Sequence, residues 1–267
     1  PIPRSLALTI YGDLDVSVID ELPAGRKQIK TKWIKDQEEK NKMYDFIKEK
    51  IREGRQVYVV SPLIEESETL NVKSAESTFE EYSEIFKGME IALIHGRMKN
   101  KDKQEVMEKF RKGNLNILVS TTVIEVGVNV PNATIMVIRD AQRFGLSSLH
   151  QLRGRVGRGE YRSYCFLESE TINEISEKRL EIMENTIDGF KIAEEDLKLR
   201  NSGEIFGTKQ SGVSDLLLTD IIKNIKEIKY IRDFVLKYLE ENNGHVENEY
   251  LKSDVYRKFH DGESLIK

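Results

Sequence analysis

The chain has 267 residues, enough for one large or two smaller domains, with 39% hydrophobic residues, 33% charged residues and a formal net charge of −4. That balance permits a real core and long solvated helices, and no global basicity announces a nucleic-acid partner. The single cysteine, Cys165, excludes an internal disulfide framework and fits a reducing cytoplasm, and no stretch reads as a membrane span or a signal peptide.

Residues 1–28 run through Leu6-Ala7-Leu8 to a short strand at Val16–Ile19, then break at Pro23-Ala24-Gly25. They hold too few apolar residues for a core of their own. With Pro1 in place of a starting Met, they are expected to be the end of an absent domain plus a linker, and the chain an excised fragment. Ile29–Ile34 reads as a strand carrying the only tryptophan, Trp33. Met43, Phe46, Ile47 and Ile51 have helical spacing, and Gly54 stops that helix. Val57–Val60 is a β-branched and aromatic run of the kind buried on both faces, ended by Pro62. Phe79, Tyr82 and Phe86 mark the next helix. Ile91–Ile94 is a strand, Asn100 is expected to cap a helix carrying Val106, Met107 and Phe110, and Gly113 ends it. Ile117–Val119, Ile135–Ile138 and Tyr164–Leu167 complete the buried strands, the last with Cys165 inside.

Strands and helices alternating at these intervals predict an α/β fold with a parallel, doubly wound sheet over residues 29–170. In such sheets ligands bind beyond the carboxyl ends of the strands, where Ser61-Pro62, His95-Gly96, Ser120-Thr121-Thr122 and Arg139-Asp140 fall. After the sheet, residues 171–215 read as a helical hairpin followed by a loop. Ile175, Arg179, Ile182 and Met183 mark the first helix, and Phe190, Ala193 and Leu197 the second. The loop lies between Leu199 and Gly212. Residues 216–267 read as a long amphipathic helix from Leu218 to Tyr238 and a polar tail. There is no internal repeat.

The most informative stretch is Gln151–Gly159, Gln-Leu-Arg-Gly-Arg-Val-Gly-Arg-Gly. Laid on a helix at ~100° per residue, Gln151, Arg155 and Arg158 fall on one stripe, and Leu149, Leu152 and Val156 on another face. One stripe can pack on a sheet while the other presents an amide and two guanidiniums. Gly154 and Gly157 weaken a helix, which implies the close approach of another backbone or a ligand. Arg153 points away from that stripe. From Arg139 to Arg162 there are six arginines against Asp140 and Glu160, a local basic strip suited to a polyanion. Two guanidiniums on one stripe fit phosphate oxygens, and an arginine finger can stabilise charge developing on a γ-phosphate.

Ser120-Thr121-Thr122 places hydroxyls and backbone N–H groups at the end of a core strand, where they either hold a phosphate or cap a short helix. His95-Gly96-Arg97 ends another strand, as a ligand contact or a hydrogen-bonded structural turn. No His, Cys or carboxylate cluster has metal-ligand spacing, and no Ser-His-Asp arrangement can be argued. The 267 residues also contain no Gly-x-x-x-x-Gly-Lys-Ser/Thr loop, and no Asp-Glu pair follows a buried strand of the sheet. The chain therefore offers arginines to a triphosphate without cradling it or holding Mg²⁺, and is expected not to hydrolyse ATP alone.

The Gln-x-x-Gly-Arg-x-Gly-Arg pattern resembles motif six of the superfamily-two helicases, and Ser120–Pro131 resembles their motif five. The wider likeness is to the RecG family of branched-DNA helicases. Pro1–Arg4 looks like the tail of their motif three, Tyr11–Pro23 like their crossing into the second motor lobe, and Val59–Ser67 like their motif four. Asp196–Arg200 with Gly207–Gly212 resembles their translocation motif.

The resemblance implies a RecA-like parallel sheet flanked by helices, the second lobe of a P-loop NTPase fold, with a C-terminal helical appendage. It implies Arg155 and Arg158 as fingers, Gln151, Gly127 and Asn129 toward the nucleotide, and Ser120, Thr121, Thr122, His95, Gly96 and Arg97 toward DNA. Arg200 and Gln210 would couple hydrolysis to DNA movement. ATP with Mg²⁺ would be bound mainly by the absent first lobe. The implied partners are branched DNA and, in the same full-length chain, a first motor lobe and a wedge domain; a cytoplasmic monomer with no membrane partner is expected. Asn129 stands where the family usually has Asp, and Asn201-Ser202-Gly203-Glu204 where it usually has Gly-Pro-Gly-Glu. Two alternatives stay open: a lobe of a transcription–repair coupling translocase, which shares the translocation motif, and a non-catalytic nucleic-acid-binding module.

Overall fold

The structure is a computed structural model that describes residues 27–62, 68–121, 130–169 and 173–204, with scattered residues between 230 and 253. Six strands form one sheet: β1 (Lys30–Ile34), β2 (Gln56–Ser61), β3 (Ile91–Ile94), β4 (Ile117–Thr121), β5 (Ala133–Ile138) and β6 (Tyr164–Glu168). Their spatial order is β1-β6-β5-β2-β4-β3 and every pairing is parallel. The helices are α1 (Gln37–Arg52), α2 (Glu68–Ile85), α3 (Asn100–Arg111), α4 (Leu146–Arg153), α5 (Glu174–Asn185) and α6 (Gly189–Glu204). The sheet and all six helices fall within one compact unit of the chain; a second unit contains the scattered residues from 230 onward.

Two-sided burial explains the parallel arrangement. Val57, Val59, Ile117, Val119, Ile135 and Val137 lie in one apolar cluster with Met43, Ile47 and Ile51 of α1, Tyr82 of α2 and Phe86 just beyond it. The alternate residues Tyr58, Val60, Leu118, Met136 and Ile138 lie in a second cluster with Met107 and Phe110 of α3 and Leu146, Leu149 and Leu152 of α4. A strand of period 2 that is apolar at both phases needs helices over both faces, and parallel crossovers supply them. Fully burying each such side chain contributes roughly 1.5–3 kcal/mol.

Local chemistry sets the helix ends. The Asp36 carboxylate accepts from Glu39 N at 2.8 Å and opens α1, and Asn173 does the same for α5 through Ser176 N. Gly54, Gly88 and Gly113 close α1, α2 and α3 with positive φ.

Several expectations need correction. Lys99, not Asn100, occupies the cap position of α3, and its side chain makes no capping bond. The loop expected from Leu199 is instead helical to Glu204, because Asn201-Ser202-Gly203 follows an amphipathic run without a proline to end it. Along α6 the inward face is Ile192 and Asp196, with Leu199 packed against the core, whereas Phe190 is 48% exposed. The strand expected at Val16–Ile19, residues 205–212 of the predicted loop and most of the predicted helix from Leu218 lie outside the described residues.

The α5–α6 hairpin is held to the sheet by polar bonds as well as apolar packing. Arg153, the last residue of α4, is 2% exposed. Its Nη1 donates to the carbonyls of Met183 and Thr186, both at 2.8 Å, and to Thr31 Oγ1 at 3.3 Å. Its charge thus sits on the carbonyls at the C-terminus of α5, the negative end of that helix. Burial lowers the guanidinium from its ordinary value, yet the side chain remains a cation. Trp33 N donates to Glu184 Oε1 at 3.0 Å, and Trp33 Nε1 to Ser169 Oγ at 2.7 Å.

Two outcomes are expected. Arg153→Ala leaves two helix-end carbonyls without their donor and lowers unfolding stability by about 2–4 kcal/mol, measurable by denaturant titration. The exposed Arg162→Ala changes stability by less than about 0.5 kcal/mol; equal effects of the two would refute the anchoring role. Cys165 is fully buried and its thiol is pushed up to about 12 by desolvation. Alkylation at neutral pH should therefore label the folded chain negligibly and the unfolded chain fully; fast labelling under native conditions would contradict the burial.

Candidate functional site

Because all six strands are parallel, their carboxyl ends open at one edge. Ser61 ends β2, His95 follows β3, Ser120 and Thr121 end β4, Arg139 follows β5 and Glu168 ends β6. The chain crosses from β4 to β5 on opposite sides of β2, the switch point at which parallel sheets bind ligands. At the β2 end, Ser61 Oγ donates to Thr78 Oγ1 at 2.9 Å, which ties that strand to α2. At the neighbouring ends, Ser120 Oγ and His95 Nδ1 are buried and have no hydrogen-bond partner among the described residues. Buried polar atoms are nearly always satisfied, so two orphans at adjacent strand ends mark a place shaped for something else. Thr122, Gly127 and Asn129 lie outside the described residues.

The arginine stretch differs from the expected continuous helix. α4 ends at Arg153, Gly154 follows as its cap, and Gly157 takes φ +79. The helical stripe joining Gln151 to Arg155 and Arg158 therefore does not exist beyond the first residue. Gly157 is required twice over: by its left-handed backbone, and because a Cβ there would come 2.9 Å from Ile29 Cγ1. Gly159 is required because a Cβ would overlap the Pro131 carbonyl. Gly154 meets only carbonyls of its own helix. The close approach expected at Gly154 and Gly157 is thus found at Gly157 and Gly159, and it is made by protein.

Burial pushes the Tyr58 phenol on β2 up to about 12, and the charges of Arg158 and Arg155 both oppose that rise. The two arginines follow α4 in a turn instead of a helical repeat. Arg155 is half-buried, and Arg158 and Gln151 are exposed. Among the described residues no carboxylate forms an ion pair with either arginine. Cationic donors without acceptors suit the oxygens of a phosphate. Among the described residues there is also no group of His, Cys, Asp or Glu that could hold a metal ion. No described helix is long and apolar enough to cross a membrane.

Sequence reasoning missed a charged network at the other end of the same edge. Arg139 Nη1 lies 2.8 Å from Glu81 Oε2, and Arg139 Nε 3.2 Å from Glu168 Oε2. Lys40 of α1 reaches Glu81 at 3.3 Å and Glu168 at 3.5 Å. The Tyr44 hydroxyl donates to Glu81, and that of Tyr82 to Glu168. Burial raises both carboxyls, but the outcomes differ. Glu81, the more exposed, is held below its ordinary value by Arg139 and Lys40, whereas in the nearly inaccessible Glu168 desolvation wins and the carboxyl is raised. The network borders a cleft of about 290 Å³ lined by Lys35, Asp36, Gln37 and Asp140 among others. Its signal in the sequence was a charged residue flush against the end of an apolar strand, at Arg139 and again at Glu168. Arg200 lies in the C-terminal part of α6, and Gln210 is outside the described residues.

Comparison with known proteins places this geometry. Residues 38–160 match the helicase conserved C-terminal domain, and residues 186–260 match the C-terminal part of domain 3 of the ATP-dependent DNA helicase RecG. The RecG of Streptococcus pneumoniae is 54% identical over 233 residues, covering 87% of this chain and 35% of that protein. The RecG of Bacillus subtilis is 46% identical over 273 residues, covering 99% of this chain and 39% of that protein. A solved structure of RecG bound to a three-way DNA junction superposes with a TM-score of 0.66 at 45% identity, over 85% of this chain and 29% of that one. The sheet is thus a RecA-like α/β fold, and the chain, spanning little more than a third of the length of these curated relatives, belongs to the RecG family.

Proposed function

We propose that this chain is the C-terminal motor lobe of an ATP-dependent DNA helicase that remodels branched DNA, such as replication forks and Holliday junctions, in recombination and repair. The observation that carries the reading is the pair Arg155 and Arg158, which follow α4 in a turn, both act electrostatically on Tyr58 of β2 and have no carboxylate partner among the described residues. They fit the γ-phosphate side of a nucleotide whose other side, with its Mg²⁺, would be held by a first motor lobe. When bound there, the nucleotide supplies the phosphoryl group; these arginines would orient it and offset its developing charge. Gln151, Gly127 and Asn129 would complete the nucleotide side. Ser120, Thr121, Thr122, His95, Gly96 and Arg97 would meet DNA at the switch-point edge, in keeping with the unsatisfied Ser120 Oγ and His95 Nδ1.

In this reading residues 29–170 are the motor lobe, residues 1–28 its lead-in, residues 171–215 the coupling element and residues 216–267 the C-terminal extension. Arg153 carries the connection from the arginine turn to the α5–α6 hairpin through its bonds to Met183 and Thr186. Arg200 and Gln210 would pass changes in the nucleotide site on to the DNA. The protein would act as a cytoplasmic monomer, with a wedge domain and the first lobe on the same chain.

The chain alone should release no phosphate from ATP above a buffer blank. In a protein that joins it to a first motor lobe, Arg155→Ala or Arg158→Ala should lower kcat on the order of 100-fold or more while KM for ATP moves little, since a finger acts mainly in the transition state. Wild-type turnover in either variant would sink the finger assignment. In the same protein, Arg200→Ala or Gln210→Ala should keep most DNA-stimulated ATP hydrolysis and lose most fork unwinding. If hydrolysis and unwinding fall by the same factor, the two residues belong to the catalytic site or to the fold and do not couple them.

A further inference from the structure

The two ends of α3 treat their cations differently. At its C-terminal end Lys109 pairs with Glu105 at 3.1 Å, and Arg111 and Lys112 both pair with Glu108, at 2.9 and 3.3 Å. At its start stand Lys99, Lys101 and Lys103, and none of the three forms an ion pair among the described residues. They outnumber Asp102, the acidic residue of the first turn, at the positive end of the helix dipole, and the Lys99 cap position gives the first-turn N–H groups no side-chain acceptor. Lys99 and Lys101 are exposed and Lys103 is half-buried. An isolated protein gains nothing by stacking three cations on a helix's positive end; an anion at that place would satisfy all of them.

A second observation lies on the same side of the sheet. Ser120 is 1% exposed and its Oγ has no partner among the described residues. Side chains two apart on a strand share a face, and Leu118 shares a core cluster with Met107 and Phe110 of α3. Ser120 therefore faces the α3 side, paired in register with Ile94 at the strand end from which the chain turns into α3. The unpartnered His95 Nδ1 lies in that turn.

We infer that Lys99, Lys101 and Lys103 form a basic ledge that seats consecutive phosphates of the DNA backbone. The ledge extends the proposed DNA edge outward from β4 past β3, the last strand of the sheet. This inference rests on the reading of the chain as a DNA motor lobe and adds to it a sequence-independent binding surface. Its charges hold register on the backbone without reading bases.

The test is the salt dependence of binding, measured by fluorescence anisotropy on a forked duplex across a salt series, in a protein joining this chain to a first motor lobe. Two triple variants carry the same change in net charge: Lys99→Gln, Lys101→Gln and Lys103→Gln, against Lys109→Gln, Arg111→Gln and Lys112→Gln. Each phosphate that is no longer neutralised takes about 0.7–0.9 off the slope of log K against log salt. The first triple should lower the slope by about 2, equally on two unrelated fork sequences, and the second should leave it within about 0.5 of the original. An unchanged slope in the first triple overturns the ledge, and so does an equal fall in both, which would be a net-charge effect. If the unsubstituted protein fails to bind forked DNA, the proposed function and the ledge fall together; if it binds and the ledge variant behaves as wild type, the ledge alone falls.

Discussion

Burial of both faces of β2, β4 and β5 is the constraint from which the rest of this lobe follows. Val57 and Val59 face one set of helices and Tyr58 and Val60 the other, so neither face tolerates solvent. Such strands are joined by crossovers packed over the sheet, and crossovers force the strands parallel. Parallel strands send every carboxyl end to one edge. That is why Ser120, His95, Arg139 and Glu168, far apart in the chain, share an edge, and why a single ligand-binding face can be assembled from short connections.

Three arginines within six residues are used in two ways. Arg153 is buried and gives its donors to the carbonyl end of α5, where the helix dipole offsets part of the cost of desolvating a cation. Arg155 and Arg158 lie beyond the helix end, in the turn set by Gly154 and Gly157, and pair with no carboxylate among the described residues. The short helix thus separates a structural guanidinium from two that are open to a ligand. The bonds that hold the hairpin in place begin at the residue where the arginine turn departs.

The carboxyl edge is electrostatically divided. Toward β5, β6 and β1, Arg139 and Lys40 are matched by Glu81 and Glu168, and Tyr44 and Tyr82 complete their hydrogen bonds. Pairs of this kind are weak stabilisers; here they link α1, α2 and the exits of β5 and β6. Toward β3 and β4 the polar atoms of His95 and Ser120 and the lysines that open α3 are without such partners among the described residues. The charged pairs found at the edge among the described residues thus lie in its β5, β6 and β1 half.

The sequence by itself determined the class of fold and the residues of interest. Runs such as Val57–Val60 and Ile135–Ile138 have no polar phase, which leaves a two-faced parallel sheet as their outlet, and all six strands were legible within a residue or two. The Gln-x-x-Gly-Arg-x-Gly-Arg pattern drew attention in the sequence as guanidiniums suited to phosphate oxygens, and the structure sets Arg155 and Arg158 in a turn beyond α4. Tertiary structure decided the rest. Whether a helix continues through Gly154 depends on what Gly157 must avoid, the Ile29 side chain, and Ile29 is more than a hundred residues away. Helical spacing set Arg153 apart from Arg155 and Arg158, but what it binds depends on the position of Met183 and Thr186, and no periodicity within α4 encodes that. The inward face of α6 is Ile192 and Asp196 instead of Phe190 for the same reason: helical spacing offers several stripes, and only the surface a helix packs against selects one.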